Sequence, residues 1–517
     1  MANMQSNIAI INNKLFVATI IVEDGSDNTC IMVIMQVPMA LHAQNRQKLL
    51  DRMRAQLEAA GRDSTNGVIL LQGGEEQTRY CSDHVPLFRQ ESYFMYLFGV
   101  KEPGFFGALE LYTGKSFLFC PRLNPEYAVW LGKIQPPSYF KELYEVDSGH
   151  YVDEIHEVLK DSQRGGDWTL YLLHGQNTDS GNFSKPASFQ GMEMFNTDLE
   201  LLHPVLSECR VHKSKLEVDV LRYVNNVSSE AHVQVMRIAK VGMKEYQLES
   251  TFLHHVYMYG GCRYCSYTCI CAAGENSSTL HYGHAAAPND KVMLDGDMAL
   301  LDMGAEYHCY SSDITCSFPV NGKFTEEQRV VYEAVLDAQK AVIGAMRPGV
   351  SWVDMHKLAE QQILQALKHA GILRGDVEAM MKIRLGAVFM PHGVGHFLGL
   401  DTHDTGGYPK GTSRILEPGL KSLRTIRILE EGMVITVEPG CYFIEPLLEE
   451  ALQDPAKSEF LVKQVLEKFR RLGGVRLEDN VVLTADGCEN LTKCPREIQE
   501  VEAVMAGGAW PLSKKGA

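Results

Sequence analysis

Two stretches, Met298-Ala-Leu-Leu-Asp302-Met-Gly304 and Ser311-Ser-Asp313-Ile-Thr-Cys-Ser-Phe318, decide how the C-terminal part of the chain is read. Each is a run of apolar and β-branched residues broken by one carboxylate, and together they predict strands over 297–303 and 307–318. Similar runs predict strands over 432–439 and 475–484. A carboxylate in such a strand lies at its end, carries a partner, or meets a desolvation penalty of roughly several kcal/mol. A two-residue turn at Gly304-Ala305 would set Asp302 opposite Tyr307. Asp302 and Asp313 converge only through a wider hairpin or a bend near Ser311-Ser312.

Around these strands the period changes from two to 3.6. Apolar residues at 216, 220, 224, 227, 231, 235 and 238 mark one face of a helix that Gly242 can terminate. Leu248, Phe252 and Val256 mark a second helix. Thr325 and Gln328 form a capping box for a third, and Ser351 opens a fourth. Helices in one group and antiparallel strands in another predict an α+β domain over 208–517. Before it, a helix over Leu41–Ala59, a strand over Gly67–Gln72 and a hairpin around Thr113-Gly-Lys115 predict an α/β domain over 37–207. Residues 1–36, rich in Ile, Val, Asn and Met, form an extension without an assigned role.

The 517 residues exceed one ordinary core, which agrees with two domains. Sixty-five acids against 49 bases leave a formal charge of −16, which repels phosphate backbones and argues against nucleic-acid binding. No run reaches the ~18 uncharged apolar residues of a membrane helix. Ile8–Val22, broken by Asn12, Asn13 and Lys14, has no basic n-region and is not read as a signal peptide. Thirteen cysteines, an odd number, suit reduced thiols and a cytoplasmic location. The cluster Cys262, Cys265, Cys269 and Cys271 contains one C-x-x-C pair, half of a zinc site. Its β-branched and aromatic setting reads as strand or buried cysteines instead.

Five residues share a logic: Asp302, Asp313, His396 in Pro391-His-Gly-Val-Gly-His396-Phe, Glu438 in Thr436-Val-Glu-Pro-Gly440, and Glu478 in Val475-Arg-Leu-Glu-Asp479. Any one of these acids alone reads as a strand-end carboxylate. Four brought together would repel and protonate unless comparable positive charge sat among them. Two divalent cations balance four carboxylates, and two bridging acids let five side chains serve both ions. Hard oxygen donors with one imidazole suit manganese, magnesium or cobalt, with zinc possible. Gly393 and Gly395 remove side chains where backbone passes close to the cluster.

The blocks Leu301-Asp-Met-Gly304, Ser312-Asp-Ile-Thr315, His392-Gly-Val-Gly-His396, Thr436-Val-Glu-Pro-Gly440 and Val475-Arg-Leu-Glu-Asp479 resemble the signature of the pita-bread metallopeptidases. The resemblance is closest to the branch that cleaves Xaa-Pro dipeptides. It runs from about Val37 and includes Leu71-Gln-Gly-Gly-Glu-Glu76, Phe88-Arg-Gln-Glu-Ser92, Asn177-Thr-Asp-Ser-Gly181 and Tyr267-Thr-Cys-Ile-Cys271. Residues 1–36, Cys262 and Cys265 depart from it.

The resemblance implies a creatinase-like N-terminal domain and a pita-bread catalytic domain. It implies two metal ions per subunit, manganese, held by Asp302, Asp313, His396, Glu438 and Glu478 with Asp313 and Glu478 bridging. Glu438 would take a proton from an activated water and pass it to the leaving proline nitrogen. His281 and His403 would contact the dipeptide and stabilise the oxyanion, with His392, Arg476 and Tyr267 supporting the site. Arg424 would grip the C-terminal carboxylate through two bonds. Arg476, two residues before Glu478 on the same strand face, buffers the carboxylates. Taken singly, these histidines and Arg424 also read as structural or surface residues. Trp130 is a core or surface residue, or by resemblance the residue that reaches a partner's pocket in a homodimer. The implied activity is Xaa-Pro dipeptide hydrolysis in proline recycling and collagen-peptide breakdown. An aminopeptidase acting on longer peptides and a non-catalytic binding protein on the same fold are the alternatives.

Overall fold

The computed structural model describes residues 6–9, 17–23, 29–283 and 289–511. The chain divides into two compact units, one of Val37–Val211 and one of Met1–Gln36 with His212–Ala517.

In the first unit the apolar run Gly67–Gln72 forms a central strand. It pairs antiparallel with Phe106–Glu110 and parallel with Thr169–Leu172. Phe106–Glu110 continues through a hairpin into Ser116–Cys120, as the Thr113-Gly-Lys115 turn predicts. Ser148–Tyr151 and Thr197–Asp198 complete a mixed six-stranded sheet. Val68 and Leu70 point to one face, where they pack with Phe106, Phe119, Trp168 and Leu170. Each such fully buried side chain contributes roughly 1.5–3 kcal/mol. Helix Ala40–Ala59 packs against Ser92–Phe98 and Leu202–Val211 and buries Leu49, Met53 and Leu57.

The second unit is built from antiparallel strands and paired helices. Helix Lys215–Ile238 packs on Glu245–Gly260, and Glu326–Ala345 on Trp352–His369. The capping box at Thr325 is formed in both halves: Gln328 N donates to Thr325 Oγ1 at 3.2 Å, and Thr325 N donates to Gln328 Oε1 at 2.9 Å. Such a cap stabilises a helix by about 1 kcal/mol. The helix that starts at Lys215 ends at Ile238, not at Gly242. Ala239, at ψ 128°, leaves the helix without needing glycine, and Gly242 (φ 89°) serves the turn that follows.

The hairpin that carries the two aspartates is wider than a turn at Gly304-Ala305 would make it. Met298–Asp302 pairs with Thr315–Pro319, Asp302 standing opposite Thr315. The same register continues through Ala305–Tyr307 and Tyr310-Ser311 to a two-residue turn at His308-Cys309, both with positive φ. Gly304 is required by proximity, since a Cβ there would sit 1.8 Å from the Ser312 carbonyl oxygen. Asp313 is two residues from Thr315, so it shares the face of Asp302. The expected strand 432–439 appears as Val434–Val437, and 475–484 as Gly474–Arg476 and Asp479–Leu483. Val434–Val437 pairs antiparallel with Asp479–Leu483, Val437 opposite Asp479. This pairing brings Glu438 and Glu478, each one residue past the register, to the same end of the ladder.

Within residues 1–36, the strands Ser6–Ala9, Val17–Glu23 and Thr29–Met35 form an antiparallel sheet. The Tyr307 hydroxyl donates to the Met35 carbonyl at 2.5 Å.

Candidate metal centre and substrate cavity

Asp302, Asp313, His396, Glu438 and Glu478 all line one cavity of about 260 Å³, together with His281, His392, His403, Arg424 and Arg476. Four short segments far apart in sequence deliver the five donors. Asp313, His396 and Glu478 each place one donor atom within 4.8 Å of the other two. His396 Nε2 lies 3.3 Å from Asp313 Oδ2 and 3.3 Å from Glu438 Oε1. The His396 Nδ1–H donates to the Phe397 carbonyl at 3.0 Å, which leaves Nε2 as the lone pair facing the acids. That is how proteins present an imidazole to a metal.

The electrostatics of the donor set suit a cation. Burial raises the Asp302 carboxyl above its usual range against the pull of Arg476. Burial, with Asp313, Glu438 and Asp302 nearby, raises Glu478 further. Glu438 is pushed up to about 7 by burial, opposed by His396 and reinforced by Asp313. Burial alone would lower the His396 pKa, but Asp313 and Glu438 outweigh it and the net shift is upward. Acids that cannot all ionise side by side, grouped around a free imidazole nitrogen, fit divalent cations. The residues present match the group that the sequence implies.

The surrounding side chains aim the donors. Arg476 Nη2 donates to Asp302 Oδ2 at 2.6 Å, and the Tyr267 hydroxyl donates to Asp302 Oδ1 at 2.5 Å. Thr315 Oγ1 donates to Glu478 Oε2 at 2.7 Å and accepts from Arg476 Nε at 3.0 Å. Thr436 Oγ1 accepts from His396 N at 3.1 Å and donates to Glu438 Oε1 at 3.3 Å. The Tyr442 hydroxyl accepts from Arg476 Nη1 at 2.9 Å and donates to His392 Nε2 at 2.9 Å. Burial, with Arg476 close by, lowers the His392 pKa to about 3, so its ring is neutral there. Gly395 answers a close approach, since a Cβ there would lie 1.9 Å from the Thr436 carbonyl oxygen.

His281 and His403 stand at the open side of the cavity. The His403 ring meets His396 edge to face, with centroids 4.5 Å apart. Desolvation, with His396 and Arg424 beside it, pushes the His403 pKa down and keeps the ring neutral. Arg424 lines the same cavity. Trp130 does not; it lies in the Val37–Val211 unit on the short helix Ala128–Leu131 and is 82% exposed.

Sequence pattern does not single out Thr315, Thr436 and Tyr442. The two threonines carry a signal, each standing two residues from a ligand on the same strand face. Tyr442 carries none, because the contacts it makes come from elements distant in sequence. The four cysteines do not gather as ligands: Cys262 donates to the Gly260 carbonyl and Cys271 to the Met303 sulfur.

A cavity in which four carboxylates and the His396 imidazole converge at the ends of antiparallel strands has the donor set of a metal-dependent hydrolase. Residues 219–485 match the model of metallopeptidase family M24, and residues 42–171 match the N-terminal domain of aminopeptidase P. The chain belongs to metallopeptidase family M24. It is 56% identical to the Xaa-Pro dipeptidase of Homo sapiens over 473 residues, 92% of this chain and 94% of that protein. It is 38% identical to a probable Xaa-Pro aminopeptidase of Phaeosphaeria nodorum over 442 residues, 86% of this chain and 92% of that one. The solved structure of Pseudomonas aeruginosa aminopeptidase PepP superposes with a TM-score of 0.73 at 32% identity, covering 91% of this chain and 99% of that one.

Proposed function

We propose that the protein is an Xaa-Pro dipeptidase that hydrolyses dipeptides with C-terminal proline. The observation that carries this reading is that Arg424 lines the same 260 Å³ cavity as the five donors. That volume is below the roughly 300–1,000 Å³ of drug-sized pockets and suits a dipeptide. The 56% identity to a dipeptidase along nearly the whole chain supports it.

Asp302, Asp313, His396, Glu438 and Glu478 would hold two divalent ions, manganese in the native protein. When bound, such ions polarise the scissile carbonyl and lower the pKa of a water from 15.7 towards about 7. Glu438 takes the proton of the attacking water and returns it to the proline nitrogen. That return is needed because the tertiary amide has no N–H and its nitrogen must be protonated as the C–N bond breaks. His281 and His403 donate hydrogen bonds to the carbonyl oxygen as charge develops on it. His403 is suited to this because it is a neutral donor that adds no charge to the ground state. Arg424 binds the proline carboxylate through its fork. Arg476, Tyr267 and His392 hold the donors in place.

The protein works as a cytoplasmic homodimer that recycles proline from peptides such as collagen fragments. Val129, Trp130 and Leu131, 81%, 82% and 62% exposed, offer an apolar surface for a second copy, with Trp130 reaching the partner's pocket. Among the described residues no helix is long and apolar enough to cross a membrane. Hydrolysis of Gly-Pro without cleavage of Gly-Pro-Ala tests the substrate class. Efficient tripeptide cleavage would favour an aminopeptidase, and an inactive protein would favour a binding role.

A further inference from the structure

The function above gives Lys213 and Asp404 no role, although they form an ion pair beside the site. Lys213 Nζ donates to Asp404 Oδ2 at 3.0 Å, and each side chain is 1% exposed. Asp404 follows His403 in the chain, at the end of a loop that starts from the donor His396. The Phe397 carbonyl closes that loop: it accepts from the His396 Nδ1–H at 3.0 Å and from the Asp404 N–H at 2.9 Å. Lys213 Nζ also stands 5.9 Å from the centroid of the Phe397 ring. One ammonium therefore meets the residue that follows each of the two histidines. Gly399 makes room for the pair, since a Cβ there would lie 2.2 Å from Asp404 Oδ2. The flanks are tied as well. Lys213 N donates to the Gly432 carbonyl at 2.8 Å, two residues before the strand Val434–Val437, and Thr402 Oγ1 donates to the Ser266 carbonyl at 3.0 Å.

Burying two charges is costly, and two apolar side chains of similar volume often fill such a space at least as well. What the ion pair supplies instead is direction, because a charge-assisted hydrogen bond is short and geometrically specific where an apolar contact is not. The residue whose direction matters here is His403. Its ring leans edge to face on His396 with centroids 4.5 Å apart, a contact weaker than a charge-assisted hydrogen bond. The aim of the ring is therefore carried by the backbone on either side, which Thr402 and Asp404 hold.

We infer that Lys213 and Asp404 are positioning residues, a buried clamp that aims the His403 ring at the oxygen of the scissile carbonyl. The clamp touches neither substrate nor metal. It acts on the step in which charge develops on that oxygen, so it sets kcat and leaves ground-state binding to other residues. This rests on the proposed role of His403.

The test measures Gly-Pro hydrolysis and bound metal on the metal-loaded full chain. Lys213→Met should keep its metal and its KM and lose roughly ten- to a hundred-fold in kcat, within the ~10²-fold that an ångström's misplacement costs. That variant leaves the Asp404 charge buried alone, so Lys213→Met/Asp404→Leu is measured beside it. The double variant removes both charges, should fold and should show the same loss of kcat. In a His403→Ala background either change should cost little further, because no ring is left to aim. An unchanged kcat in the folded double variant overturns the inference. So does an equal loss with and without His403, or a loss that follows a fall in bound metal. Failure of the underlying reading would show separately, as near-normal turnover in His403→Ala with the clamp intact, and it would take the clamp's role with it.

Discussion

Arg476 and Asp302 form a buried ion pair in which Nη2 stands 2.6 Å from Oδ2. The same guanidinium holds Thr315 through Nε and Tyr442 through Nη1, so one cation links Asp302, the threonine on Glu478 and the tyrosine on His392. Arg476→Lys keeps the charge and removes the fork. Expected is a folded protein whose affinity for divalent metal falls roughly 10–100-fold, the usual cost of losing a ligand's supporting partner. A metal titration followed by activity measures it; unchanged affinity would remove Arg476 from the site's support.

Asp302→Asn or Glu478→Gln should abolish turnover and leave the chain folded. Each keeps the shape of the side chain and removes one of the charges that a cation needs. Circular dichroism and Gly-Pro hydrolysis on the same sample decide it. Near-normal activity in either variant would exclude that residue as a ligand.

Arg424→Ala should raise the KM for Gly-Pro steeply. Losing hydrogen bonds to a charged group costs about 1.5–3 kcal/mol, or roughly 10–150-fold. A dipeptide amide, which has no carboxylate, should show little further loss in the variant. An unchanged KM for Gly-Pro would end the carboxylate role.

His42, wholly buried in helix Ala40–Ala59, makes a pH prediction in the N-terminal unit. Its Nδ1–H donates to the Tyr96 carbonyl at 3.1 Å, and Nε2, the atom that would be protonated, is buried without a partner. Burial lowers its pKa from 6.5 to about 4. Between those values the unfolded chain holds a proton that the folded chain does not. Stability is therefore complete above pH 6.5 and declines as pH falls towards 4, by about 3 kcal/mol from this group. In His42→Phe the Tyr96 carbonyl keeps its bond from Asn45 Nδ2, so the variant should fold and lose that part of the slope. Urea midpoints of both proteins at pH 7 and near pH 4.5 test this; equal slopes would contradict it.

Much of this fold is legible in the amino-acid sequence, because local chemistry and tertiary packing agree. The strand Gly67–Gln72 and the capping box at Thr325 rest on short-range pattern, and both form where pattern places them. The four carboxylates that line the cavity are legible for a different reason: a carboxylate inside or beside an apolar strand is costly, so each one marks itself, whereas His396 shows only through its glycine-flanked block. What pattern does not show is where strands break. The turn of the aspartate hairpin falls on His308-Cys309, not on the Asn-Gly or Asp-Gly pair that marks such turns, and is held there by the pairing on either side. The end of the helix at Ile238 is equally hidden, because no glycine or proline marks it. Tyr442, buried, and Arg496, half-buried, are joints between distant segments. Arg496 binds the carbonyls of Thr315 and Glu478 and the Asp479 carboxylate, contacts that only the assembled sheet creates.

The most direct measurement is the divalent metal content of the purified chain, followed through chelation and back-titration against Gly-Pro hydrolysis. About two ions per chain, loss of activity on chelation and its return as both sites refill are the expected result. Full activity in protein stripped of divalent metal would contradict it.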